Sequence, residues 1–363
     1  MVEWKKLGDV CTFKRGKTIT AKDAIVGTVP VIAGGQTPSY YHNESNRTGE
    51  SITVAGSGAY AGFIAYWDQP IFVSDAFVVE PTENLLPKYV FQWLKMNQQR
   101  VYETQKGAGV PHVHGKDIAG FIIPVPSVSE QNRIVGILDT FTASIENLKQ
   151  QISERRKQYE HYRDRLLDLE GKEGVEMKFI TDVAKNYTGL TYKPENVSDT
   201  GTLVLRSSNI NEDTLEFIDN VFVQMEIPER AIAKENDILI CVRNGSKRLV
   251  GKAAVITKEA DGMAFGAFMT VLRATAINSK YLFFVWQSEK VKVQYKGDEA
   301  MPIAQITSKD FQRIVIPVPS LQEQSRIVSI LDTFEASISN LEAQLSQREK
   351  QYEYYRNKLL TFE

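Results

Sequence analysis

A chain of 363 residues is long enough for two or more domains, each with a core of its own. Hydrophobic content of 42% and charged content of 24% are those of a soluble globular protein; the opening Met-Val-Glu-Trp-Lys-Lys has no apolar signal core, and no apolar run reaches membrane-spanning length. A formal net charge of −2 excludes a globally basic nucleic-acid binder, so any DNA contact must come from local patches, with partner subunits adding positive charge. Cys11 and Cys241 lie far apart with no metal-ligand spacing, which points to a reducing cytoplasm.

In chain order, residues 1–122 read as a mixed α/β domain. Ser51–Ala55 and Ile71–Val79 are β-type runs bounded by Gly-, Asn- and Pro-containing turns, and Lys88–Tyr102 is a helix whose aromatics belong to a core. Lys14-Arg15-Gly16-Lys17-Thr18 places three cations in a turn-like segment, and Gln36-Thr37-Pro38-Ser39-Tyr40-Tyr41 is a second polar loop. Residues 123–170 are helical. Residues 171–315 return to the mixed α/β pattern, with strands at Ile238–Val242 and Ala253–Thr257 and a helix at Lys280–Tyr295. Polar loops here are Arg206-Ser207-Ser208-Asn209 and Arg243-Asn244-Gly245-Ser246-Lys247-Arg248. Residues 316–363 are again helical. The fold class is therefore α+β, two mixed domains joined by two long helices.

Formal charges sum to +1 over 1–121 (12 basic, 11 acidic) and to zero over 171–314 (19 of each), so placement matters more than balance. Arg and Lys at a Gly turn suit phosphates and guanine edges, whereas Asn and Gln suit adenine. A solvated hairpin tip can carry the same residues. The candidate DNA contacts are Lys14, Arg15, Lys17, Thr18, Gln36, Ser39 and Tyr40 in the first domain. In the second they are Arg206, Ser207, Asn209, Arg243, Asn244, Lys247 and Arg248.

An internal repeat organises the whole chain. Residues 122–170 and 315–363 align without a gap at a shift of 193, with 32 of 49 positions identical. The domains ahead of them are related only faintly, as in Lys88-Tyr89-Val90-Phe91 against Lys280-Tyr281-Leu282-Phe283. Within the first block Ile134, Leu138, Phe141, Ile145, Leu148, Ile152 and Arg155 alternate spacings of four and three; Ile327, Leu331, Phe334, Ile338, Leu341, Leu345 and Arg348 do so in the second. This is a heptad seam carrying one arginine per copy, which either fixes register or snorkels to water. Only Gly171-Lys172-Glu173-Gly174 separates the first helix from the second domain. An antiparallel coiled coil lets that domain begin and end at one end of the rod, with Met1 and Glu363 together at the other. The expected particle has a pseudo-two-fold axis.

No catalytic constellation is complete. Thr37-Pro38-Ser39-Tyr40 falls short of the polar-Pro-Pro-aromatic motif of an adenine N6-methyltransferase, and Gly56-Ser57-Gly58 reads as a tight turn. Gly16-Lys17-Thr18 ends like a phosphate loop, but Cys11 stands where its first glycine belongs. Glu3-Trp4-Lys5 and Glu176-Met177-Lys178 match a nuclease fragment without the upstream acid, and His112-Val113-His114 has no third ligand, so no metal site is expected.

The repeated block Ile123-Pro124-Val125-Pro126-Ser127, Glu130-Gln131, Arg133-Ile134-Val135 and Leu138, with its second copy from Ile316 to Leu331, resembles the specificity subunits of type I restriction–modification systems. The resemblance covers the whole chain in motif, repeat and domain order. It implies target-recognition domains at 1–122 and 171–315, each reading one half of a bipartite site in double-stranded DNA, and helical spacers at 123–170 and 316–363. It implies no catalysis and no cofactor in this chain. S-adenosylmethionine would belong to two modification subunits docked on the helices, and ATP and Mg to restriction subunits joining them. A coiled-coil scaffold with protein-binding heads, or the specificity part of a fused restriction-methylase, are the other readings that heptads and mixed charge permit.

Overall fold

The computed structural model describes residues 2–82, 84–296 and 305–362. The expected meeting of Met1 with Glu363 lies outside the described residues. Two compact units divide the chain: 1–151 with 341–363, and 152–340. The long helices Val128–Leu167 and Leu321–Thr361 each contribute one part to each unit.

In the first unit an antiparallel sheet runs in the order Cys11–Arg15, Ala76–Pro81, Ser51–Ala55, Ile64–Trp67. A second sheet orders Tyr40–His42, Val29–Ile32 and Phe72–Val73, the last two parallel. The expected strand Ile71–Val79 is thus two strands in two sheets, broken at Ser74-Asp75 where the chain crosses over. Continuous β-branched and aromatic character hides such a break, because both faces are buried on either side of it. The helix expected over Lys88–Tyr102 forms as Pro87–Met96 and Gln98–Tyr102. Its Tyr89, Val90 and Trp93 pack in one core with Ile52, Val54, Ile134, Leu138 and Leu360.

The second unit repeats this plan. The order is Ala184–Thr188, Met269–Ala274, Ile238–Cys241, Ala253–Val255, beside a second sheet in which Thr202–Leu205 and Ala264–Phe265 are parallel. The expected helix Lys280–Tyr295 is likewise divided, into Ser279–Gln287 and Glu289–Lys296, and buries Tyr281, Phe284 and Trp286.

The repeated motif is the joint between head and helix. Pro124 pairs with Trp4 in one two-stranded ladder and Pro317 with Met177 in the other. Ser127 Oγ and Ser320 Oγ accept from the backbone amides of Glu130 and Glu323, capping each helix at 3.3 Å. Gln131, fully buried, accepts from Leu86 N and donates to the carbonyls of Asn84 and Pro126. Gln324 accepts from Asn278 N and donates to Pro319 O. Tyr89 and Tyr281 donate to the carbonyls of Pro124 and Pro317.

Along the helices Ile134, Leu138, Ile145, Leu148, Ile152, Ile327 and Leu331 are buried, while Phe141, Phe334, Ile338, Leu341, Leu345, Arg155 and Arg348 are half-buried. In the first unit Phe141 stacks on Tyr355 at 5.3 Å, with Arg348 over the Phe141 ring. The repeat-related pair, Tyr162 on Phe334, stacks at 5.4 Å in the second. The Arg348 guanidinium thus packs on an aromatic face, which tolerates a charge in an apolar stripe.

Candidate nucleic-acid interface

The crossover between the two sheets makes one end of each head a junction of several loops. In the first head Gly16 follows the strand Cys11–Arg15 and lies so close to the crossover that an added Cβ would stand 2.4 Å from the carbonyl oxygens of Val73 and Ser74. Lys17 N donates to Val73 O, Ile19 N to Ser74 Oγ, and Tyr40 Oη to Ile19 O at 2.6 Å. Ser57 Oγ donates to Asp75 Oδ2 at the same junction. Residues 14–19, 39–40, 57 and 74–75 therefore converge, although they are distant in sequence.

The expected turn at Lys14–Thr18 is in part strand: Lys14 and Arg15 close it, and Lys14 is spent on an ion pair with Glu80. Arg15 and Lys17 are exposed and have no ion-pair partner among the described residues. Thr18, Gln36 and Ser39 are exposed beside them, and Tyr40 is half-buried.

In the second head Gly189 occupies the position of Gly16; its added Cβ would meet Gly266 O at 2.1 Å and Phe265 O at 2.6 Å. Asn244 Nδ2 donates to Ser207 Oγ at 3.1 Å, joining the two polar loops singled out in sequence. The Arg243 guanidinium lies over the exposed Phe268 ring at 5.3 Å. Arg243, Lys247 and Arg248 are exposed and carry no ion pair among the described residues. Arg206 is held by Asp219, through Oδ2 at 2.8 Å and the carbonyl at 2.7 Å. A cleft of about 580 Å³ opens here, lined by Tyr192, Arg206, Ser207, Asp219 and Phe268.

Asn209 is corrected. It is fully buried, and its amide donates toward Glu216 O, Ile218 O and Asn220 Oδ1 while its oxygen accepts from Arg206 N. An amide so placed has no free edge for a base. Conversely Ser57, Asp75, Tyr192 and Phe268 sit at the junctions without having been singled out as contacts. Only the Gly56-Ser57-Gly58 turn gave any signal for them.

The frames match, but the charges do not. Ala55 and Cys241 end corresponding central strands, so Arg243 stands where the first head has Ser57; Lys17 stands where the second has Leu190. One head loads cations after its first sheet strand, the other after its central strand.

The model described as the type I restriction modification DNA specificity domain matches residues 1–155 and 172–349. The chain belongs to this family. It is 29% identical over 392 residues to the specificity subunit of the type I restriction enzyme EcoR124I/EcoR124II of Escherichia coli, covering 99% of this chain and 94% of that protein. A putative type I specificity subunit of Haemophilus influenzae is 25% identical, covering 99% and 96%. The fold is that of the type I S subunit from M. genitalium, with a TM-score of 0.61, 17% identity, and coverage of 100% and 97%. A type I restriction–modification structure concerned with complex assembly and conformational transition gives 0.62, 18%, and 99% and 97%.

Family membership places DNA sequence recognition in this specificity subunit, and the structure shows what the other sequence features are. Glu3 and Lys5 pair with each other at 2.6 Å and Glu176 and Lys178 at 2.7 Å, so the nuclease-like fragments are edge strands bearing local ion pairs. His112 and His114 stack, and among the described residues no group of three His, Cys, Asp or Glu is placed to hold a metal. Cys11 and Cys241 are buried and unbridged, with burial raising the Cys11 thiol to about 12. No helix of the described residues is long and apolar enough to cross a membrane.

Proposed function

We propose that each head reads one half of an asymmetric bipartite target in double-stranded DNA, without catalysis and without a cofactor of its own. The observation that carries this reading is the junction built twice on one frame with differently charged loops. Arg15, Lys17, Thr18, Gln36, Ser39 and Tyr40 face one half-site; Arg206, Ser207, Arg243, Asn244, Lys247 and Arg248 face the other. Arginine and lysine in such loops supply phosphate contacts and guanine readout, and asparagine and glutamine supply adenine readout.

The long helices act as an antiparallel coiled-coil spacer. Forty residues at about 1.5 Å each give roughly 60 Å, nearly two turns of B-DNA at about 34–36 Å per turn. Their near-identity suits two identical modification subunits, carrying S-adenosylmethionine, docked around the pseudo-dyad; restriction subunits using ATP and Mg join that complex. Exchanging residues 1–122 for another recognition domain tests the independence of the heads. One half of the methylated motif changes and the other stays. Removing one heptad from both helices changes the number of unread base pairs and leaves both halves intact; unchanged spacing contradicts the ruler.

A further inference from the structure

The two units differ at one place that the repeat makes comparable. In the second, the link from Thr202–Leu205 to Phe222–Val223 spans residues 206–221 and contains the hairpin of Ile210–Asn211 and Thr214–Leu215. Its two tip residues, Glu212 and Asp213, have φ of 43° and 68°. This tip lies against the long helix: Glu212 pairs with Arg156, and burial raises the pKa of the Asp213 carboxyl against the opposing charges of Lys292 and Arg163 near it. In the first unit the matching link is only residues 33–39, and no such hairpin exists among the described residues.

What the hairpin covers in the second unit stays open in the first. A groove of about 490 Å³ is lined there by Phe91, Lys95, Thr142, Tyr352, Glu353 and Arg356. By the repeat shift of 193, Tyr352 and Arg356 are the counterparts of Tyr159 and Arg163, the residues beside the Asp213 tip. Arg356 packs on Tyr352, its Nε is buried without a hydrogen-bond partner, and it has no carboxylate partner among the described residues. Asn357 replaces Asp164, which bonds Arg163 at 3.1 Å in the second unit. Lys95, also without a carboxylate among the described residues, donates to Ile64 O and Gln98 Oε1 and lies over the Phe63 ring; burial and the nearby Arg356 charge lower its pKa. The other cations of the groove are spent, Lys88 on Asp139 and Lys149 on Glu349.

We propose that this groove of the first unit is the seat for a turn of a partner polypeptide that presents an aspartate or glutamate to Arg356 and Lys95, as the chain's own Asp213 turn does in the second unit. Glu349, where the second unit has Arg156, selects against a second carboxylate at the Glu212 position. The two docking faces of the subunit are then unequal, one covered by its own hairpin and one awaiting a partner's turn. This rests on the reading of the helices as a docking surface for modification subunits.

The test uses the full chain and a cyclised peptide of residues 210–215 bearing Glu212→Gln, followed by fluorescence polarisation. Saturable binding is expected, at least tenfold weaker to the Arg356→Gln chain and to a peptide also bearing Asp213→Asn, and unchanged within twofold for the Arg163→Gln chain. No saturable binding, equal binding to Arg356→Gln, or full displacement by equimolar inorganic phosphate overturns the proposal. Co-purification with the modification subunit separates the two readings. If it fails for the wild-type chain, docking on the helices is wrong; if it holds and Arg356→Gln does not weaken it, the seat is wrong.

Discussion

Replacing Gln131 by alanine removes three hydrogen bonds from a fully buried side chain, and replacing Gln324 removes two. A net hydrogen bond is worth about 1 kcal/mol, and a buried group left unpaired costs about 1–3 kcal/mol. The loss is therefore about 3–4 kcal/mol at Gln131 and about 2–3 kcal/mol at Gln324. Both residues tie the start of a long helix to the start of a head helix, Pro87–Met96 or Ser279–Gln287, so the damage falls on that joint. Hydrogen exchange followed by mass spectrometry reads it directly, because opening free energies are local. Peptides covering residues 84–96 should exchange at least ~100-fold faster in Gln131→Ala, at about 1.4 kcal/mol per tenfold. Those covering 278–287 should stay within a few-fold. Gln324→Ala should show the reverse, with a smaller acceleration. Equal acceleration in both regions by either variant refutes the view that each glutamine locks only its own head.

The Asp237 carboxylate is 2% exposed and accepts from Arg273 at 2.7 and 2.6 Å. Asp237→Ala strands a guanidinium and should cost about 3–5 kcal/mol in urea unfolding of the second unit; a loss under about 1 kcal/mol contradicts this. Burial raises the pKa of Glu335 despite Lys280 beside it, so the folded state disfavours its ionised form. Glu335→Gln should therefore raise the melting temperature relative to wild type as pH climbs above the ordinary carboxylate range. The gain should vanish below that range, where both side chains are neutral; a gain independent of pH contradicts the cause. Gly16→Ala and Gly189→Ala each force a Cβ onto crossover carbonyls, and each should disturb recognition of one half-site only, read as the change in affinity for duplexes altered in one half.

Two features were legible in the sequence, and two were not. The helices could be read because a seam such as Ile134, Leu138, Phe141 repeats a local period, and because the second copy made chance implausible. The motif's meaning as a joint was not readable: Gln131 and Gln324 look like surface residues until the loops at Asn84 and Asn278 close over them. In the heads the loop vocabulary was visible at Arg243–Arg248, but not its convergence with Ser207, which depends on a sheet crossover between Ala264–Phe265 and Met269–Ala274 that has no local signal. Asn209 shows the cost of composition-based assignment. The same amide that suits adenine suits a buried turn equally well, and only burial separates the two.

The most direct test of one frame reading two half-sites is the methylome of a host expressing this chain with a type I modification subunit that pairs with it. A single split motif, with methylated adenines in two halves of different sequence separated by unread base pairs, is the predicted result. A continuous motif, or none dependent on this chain, contradicts it.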